Sequence, residues 1–151
     1  MISQTAEYAL RAVVCLASRP ADALTTQQIA AVTKVPAGYL SKVLQALGRA
    51  GLVTSQRGLH GGFALARPAG QVNVLEVINA VDPVKRIEKC PLDLAAHGVK
   101  LCPLHRRLDD AIGQMEKAFR ESVIAELIEE DAATRPLDLV FPGCIAAASK
   151  E

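Results

Sequence analysis

The sequence predicts a mainly α-helical chain with a small β-hairpin wing, on the strength of three observations. Apolar residues recur at three- and four-residue spacing through residues 3–49. A β-branched run, a glycine-rich tip and a second short strand then occupy residues 52–66. One long amphipathic pattern follows from residue 104 to residue 130. Taken in order, these give a winged helix-turn-helix over 1–82, a cysteine-containing loop over 83–103, a dimerisation helix over 104–130 and a C-terminal tail over 131–151.

The first helix spans residues 3–18, where Ala6, Leu10, Val13, Val14 and Ala17 form one stripe that stops before Arg19 and Pro20. Thr25 with Gln28 three places on has the form of a capping box, and Ile29, Ala30 and Val32 make a short second helix. In the third, Leu40, Val43, Leu44 and Leu47 take the buried face, leaving Tyr39, Ser41, Lys42, Gln45 and Arg49 for the opposite surface. Gly51 is placed to cap that helix. The strand 52–56 leads to the tip 57–62, whose glycines suit a tight reversal, and to the return strand 63–66. Val74, Leu75, Ile78 and Val81 give a fourth helix. A helix-turn-helix followed by such a hairpin places its third helix in a DNA major groove.

Charge is segregated along the chain. Residues 1–70 carry seven Lys/Arg against Glu7 and Asp22, a net +5, while the rest carries ten against fourteen, a net −4. A basic front half suits a polyanion such as the phosphate backbone, although solvated faces alone can produce such an asymmetry. The sequence shows no secretory leader and no apolar run of membrane-spanning length, so a cytoplasmic protein with no membrane partner is expected. The four cysteines, Cys15, Cys90, Cys102 and Cys144, are too few and irregular for a disulfide framework. No nucleophilic triad order, phosphate-cradling loop or paired-carboxylate cleft can be assembled, which argues against an enzyme.

On the third helix Tyr39, Ser41, Lys42 and Gln45 offer hydroxyl, ammonium and amide groups to base edges. Thr25, Thr26 and Gln27 stand at a helix N-terminus, a natural phosphate clamp. The long pattern of Leu104, Leu108, Ile112, Met115, Phe119, Val123 and Leu127 needs a partner. Self-association across a two-fold axis supplies one, and a dimer on a palindromic operator of double-stranded DNA follows; folding back on its own domain is the alternative.

The residues Glu7-Tyr8-Ala9-Leu10-Arg11, Val35-Pro36-Ala37-Gly38-Tyr39-Leu40, and Gly51-Leu52-Val53-Thr54-Ser55-Gln56-Arg57-Gly58 running into Gly61-Gly62-Phe63, with Val77-Ile78-Asn79-Ala80-Val81 and the loop cysteines, carry a resemblance. The chain resembles the winged-helix repressors that include the iron-sulfur regulator IscR, the nitric oxide sensor NsrR and the cysteine-metabolism repressor CymR. The resemblance implies a repressor whose Arg57 enters the minor groove with His60 nearby, and whose Ser41 reads bases. Cluster-binding relatives use three loop cysteines and a fourth ligand from a histidine or from helix one of the partner. Here Cys90 and Cys102 hold the outer two positions, Ala96 beside His97 stands where the middle cysteine is expected, and His105 and Glu7 fall at ligand positions.

The resemblance therefore implies a 2Fe-2S cluster held by Cys90, Cys102, His105 and Glu7 of the partner subunit, or no cluster if the depleted set has lost it. The plainer reading of each residue stands beside that one. Cys15 reads as a small core residue, Cys144 as incidental, Glu7 as an early-helix carboxylate, and His97 and His105 as surface histidines. The functional alternatives are a redox- or cluster-sensing repressor, a cluster-free repressor answering a thiol or protein signal, and a winged-helix protein-interaction module.

Overall fold

The computed structural model describes residues 2–91 and 100–129. Ala96, His97, Cys144 and the tail 131–151 lie outside the described residues. Helix α1 (Gln4–Ala17) starts at Ser3, whose hydroxyl accepts from the Ala6 amide. Helix α2 (Thr26–Thr33) starts at the expected capping box: Thr25 Oγ1 accepts from Gln28 N at 3.2 Å and Gln28 Oε1 accepts from Thr25 N at 2.8 Å. Lys34, in the left-handed region at φ 59°, ends it and turns the chain toward Pro36.

Helix α3 (Ala37–Arg49) buries Leu40, Val43, Leu44 and Leu47, the four positions the spacing assigns inward. Gly51 at φ 72° closes it, with Gly51 N donating to Gly48 O and Leu52 N to Leu47 O, both at 3.0 Å. That double bond pattern satisfies the last helix carbonyls and needs a residue free to adopt positive φ.

Strands β1 (Val53–Gln56) and β2 (Gly62–Leu65) pair antiparallel, Val53 opposite Leu65 and Gln56 opposite Gly62. The outer edge of β2 is also paired. Leu24 N donates to Phe63 O at 2.9 Å and Phe63 N to Leu24 O at 2.7 Å, which fastens the wing to the chain entering α2. This approach is so close that a Cβ on Gly62 would sit 2.5 Å from the Leu24 carbonyl.

After a 3-10 turn (Ala69–Gln71), α4 (Val74–Val81) opens with an Asn73–Glu76 capping box. Helix α1 is the hub of the core. Ala6, Ala9, Ala12 and Val13 are wholly buried, and α2, α3, α4 and a helix near the end of the described residues, α6 (Ile124–Glu129), pack around them. Small side chains on α1 let these helices approach. Each large apolar residue that fills the remaining space, such as Leu40 or Leu44, contributes roughly 1.5–3 kcal/mol by burial.

The expected single helix over 104–130 is two helices. Helix α5 (Pro103–Glu121) ends where Ser122 turns extended, and Val123 bridges to Asn73. Val74 N donates to Ser122 O and Ile124 N to Val72 O, both at 2.9 Å. Glu126 accepts from Val123 N at 3.3 Å as α6 starts, and Ile124 enters the core completely buried. Periodicity could not show the break, because Phe119, Val123 and Leu127 keep a spacing of four across it. Helix α5 itself has no buried residue, and Leu104 and Leu108 are 61% and 48% exposed. No helix among the described residues is long and apolar enough to cross a membrane.

Candidate functional site

Burial of the apolar face of α3 turns its other face outward. Tyr39, Lys42 and Gln45 are exposed and Ser41 is half-buried. Gln45 and Arg49 share a concavity of about 570 Å³ with Leu44, Val53, Thr54, Ser55 and Phe63, so the helix and the hairpin meet in one hollow of mixed polar and apolar lining. A second hollow, about 470 Å³, lies between the α2 N-terminus and the wing and brings Thr25 and Gln28 opposite Gln56 and His60. The helix geometry gives the amides of Thr26 and Gln27 no intrahelical carbonyl, which leaves them suited to an anion. Arg57 stands exposed between β1 and the tip.

Two of these side chains are already engaged within the protein. The Ser41 hydroxyl donates to Ala37 O at 3.1 Å, so in this rotamer it meets a partner as an acceptor. The Tyr39 ring stacks edge-on against Tyr8 with centroids 5.7 Å apart, and its hydroxyl lies 3.3 Å from Thr5 Oγ1. Tyr39 thus positions α3 against α1 as well as facing outward. Glu7 pairs with Arg11, which also donates to Thr33 O at 3.2 Å and lies over the Tyr8 ring.

The structure brings three of the four proposed metal ligands together. Cys90 lies in the segment after α4, Cys102 immediately precedes α5, and His105 lies in the first turn of α5. His105 Nδ1 is 3.1 Å from Cys102 Sγ and 3.6 Å from Cys90 Sγ, and the three ligand atoms lie within 4.8 Å of one another. Hydrogen bonding from the His105 backbone amide, then from its ring, draws the Cys102 thiol down to about 7. Glu7 is not in this group; it borders a hollow lined by Leu10, Arg11, Val74, Phe119 and Leu127. Cys15 is fully buried in α1, and burial pushes its thiol up to about 11, as befits a core residue.

Two thiols and an imidazole are donors for zinc or iron. A 2Fe-2S cluster takes four protein ligands, two on each iron. The described trio supplies three, gathered about one point, and does not complete that set.

One functional arrangement escaped the sequence reading. Arg86, four residues before Cys90, donates Nε to Asp109 Oδ1 at 2.7 Å and Nη2 to Asp109 Oδ2 at 2.6 Å, and reaches Glu116 at 3.3 Å. Ile87 N adds a bond to Asp109 Oδ1 at 2.8 Å. Gly113 makes room, since a Cβ there would sit 3.0 Å from the guanidinium. Asp109, Gly113 and Glu116 at spacings of four and three on α5 are the signal that could have announced an incoming cation.

Helices α1 to α3, the hairpin beside α3 and the exposed polar face of α3 define a winged-helix DNA-binding regulator. A family model described as Rrf2, Iron-dependent Transcriptional regulator, matches residues 2–130, and the chain belongs to that family of transcriptional regulators; it is not an enzyme. Among solved structures it is similar to IscR of T. potens, at 20% identity over 89% of this chain and 90% of that one, with a TM-score of 0.72. CymR of B. subtilis, titled the global cysteine regulator, aligns at 23% identity over 84% and 95% of the two chains, with a TM-score of 0.67. The oxidized form of Staphylococcus aureus CymR aligns at 23% identity over 87% and 98%, with a TM-score of 0.66. At these identities the likeness is one of fold.

Proposed function

We propose that the protein is a homodimeric cytoplasmic repressor that occupies a palindromic operator and answers a metal or redox signal at Cys90, Cys102 and His105. The observation that carries the reading is the division of α3 into a fully buried apolar face and an outward polar one beside the wing. Lys42, Gln45 and Arg49 on α3 and Arg57 and His60 on the wing then face DNA, with Thr25, Thr26 and Gln27 on the backbone. The +5 charge of residues 1–70 supports this against a protein-interaction role.

Dimerisation falls to α5, a 19-residue helix with no buried side chain and with Leu104 and Leu108 outward. The trio straddles the start of the same helix, so a change there biases how the two recognition helices are spaced, provided its contacts differ between the two states. A 2Fe-2S cluster at this site requires a fourth ligand. Glu7 of the partner subunit offers Oε2 for this, since both bonds from Arg11 fall on its Oε1.

Sedimentation combined with selection from random duplex DNA tests the reading. A dimer that selects a palindrome with half-site centres about 34 Å apart is expected. A monomer that selects no sequence would overturn it in favour of an interaction module.

A further inference from the structure

We infer that Cys90, Cys102 and His105 form a mononuclear site for one thiophilic divalent cation of the zinc class, not one end of a binuclear cluster. The inference rests on the reading of this trio as the signal-receiving site. An ion held tetrahedrally at about 2.3 Å from sulfur and about 2.0–2.1 Å from nitrogen sets its ligands about 3.5 Å apart for sulfur to nitrogen and about 3.8 Å for sulfur to sulfur. His105 Nδ1 stands 3.1 Å and 3.6 Å from the two sulfurs, and no pair in the trio exceeds 4.8 Å. The two His105 edges therefore lie close to those of one tetrahedron, and the two sulfurs, at most 4.8 Å apart, are near enough to share one ion. A binuclear cluster instead divides its protein ligands between two irons, which places some of them beyond a single tetrahedral edge.

The trio is also held in place before any ion arrives. Cys102 and His105 are fixed relative to each other by the first turn of α5, with Pro103 between them. Cys90 is fixed by the segment that Arg86 and Ile87 fasten to Asp109. Two thiolates balance the charge of a divalent cation, and their two protons leave to solvent on binding. The three ligands among the described residues leave a fourth corner of the tetrahedron for a further donor.

The test uses the full chain, stripped with chelator and titrated with Co²⁺ alone, then with Zn²⁺. One Co²⁺ per protomer, with sulfur-to-cobalt charge transfer and the intense visible bands of a tetrahedral ion, displaced stoichiometrically by Zn²⁺, is the expected result. Cys90→Ser and His105→Ala should each weaken Co²⁺ binding more than the 10- to 100-fold typical of losing a mere supporting partner. Cys90→His, which keeps a ligand, should retain binding with shifted bands. Anaerobic reconstitution yielding two irons and two sulfides per protomer would overturn the inference, and so would Co²⁺ that gives no tetrahedral bands with a chain of unchanged circular dichroism. Duplex binding by the same preparation, measured by gel shift, reports separately on the regulator reading.

Discussion

Arg86 and Asp109 are joined by two parallel hydrogen bonds of 2.7 and 2.6 Å, which fasten the chain leading to Cys90 onto the helix that carries His105. The paired guanidinium, then the Ile87 amide, hold the Asp109 carboxyl down to about 2, while Arg86 is raised in turn by Asp109 and then Glu116. Arg86 keeps 43% of its side chain exposed while Asp109 keeps 16%, so solvent screens the pair from the guanidinium side.

Asp109→Asn removes the charge and one acceptor. Metal affinity should fall about 10- to 100-fold, as for other partners that orient ligands. The pH dependence has a definite sign. A carboxylate whose folded value lies below its unfolded one stabilises above about pH 4, and that contribution is lost as pH falls through about 2. The difference in melting temperature between wild type and Asp109→Asn should be constant from pH 5 to 7, shrink below about pH 4 and be largely lost by about pH 2. A difference that persists unchanged to pH 2 would contradict the pairing.

Ile124 tests whether α6 belongs to the winged domain. It is fully buried, and its amide donates to Val72 O. Ile124→Ala should cost about 2–5 kcal/mol in denaturant unfolding, the range for large core truncations. Leu108→Ala, on the exposed face of α5, should leave the monomer's stability nearly unchanged and weaken dimerisation in sedimentation.

Gly62 tests the tether between the wing and the chain before α2. A methyl group placed 2.5 Å from the Leu24 carbonyl must displace either β2 or Leu24. Gly62→Ala should lose about 1–3 kcal/mol in unfolding free energy. DNA affinity should fall as well, because the wing moves off Thr25 and Gln28. Equal stability with weaker DNA binding would mean that the wing swings without strain.

Local chemistry made much of the fold legible. The Thr25–Gln28 box, the four buried residues of α3, the glycine after it and the hairpin are all interactions between near neighbours, which spacing reveals. Three features depend on distant partners and left no periodic mark: the Leu24–Phe63 bridge, the return of Val123 to Asn73, and the Arg86–Asp109 clamp. The grouping of Cys90, Cys102 and His105 was half legible. Cys102 and His105 share one helical turn, but that Cys90 arrives beside them depends on the clamp.

Lys42 on α3 and Arg57 on the wing are both exposed and are the cations proposed to meet the DNA backbone. A salt titration of binding to a selected duplex, read by fluorescence anisotropy for wild type, Lys42→Ala and Arg57→Ala, tests this most directly. Each variant should bind more weakly, and the slope of log affinity against log salt should become shallower by about one. Unchanged affinity and slope in both variants would contradict the account.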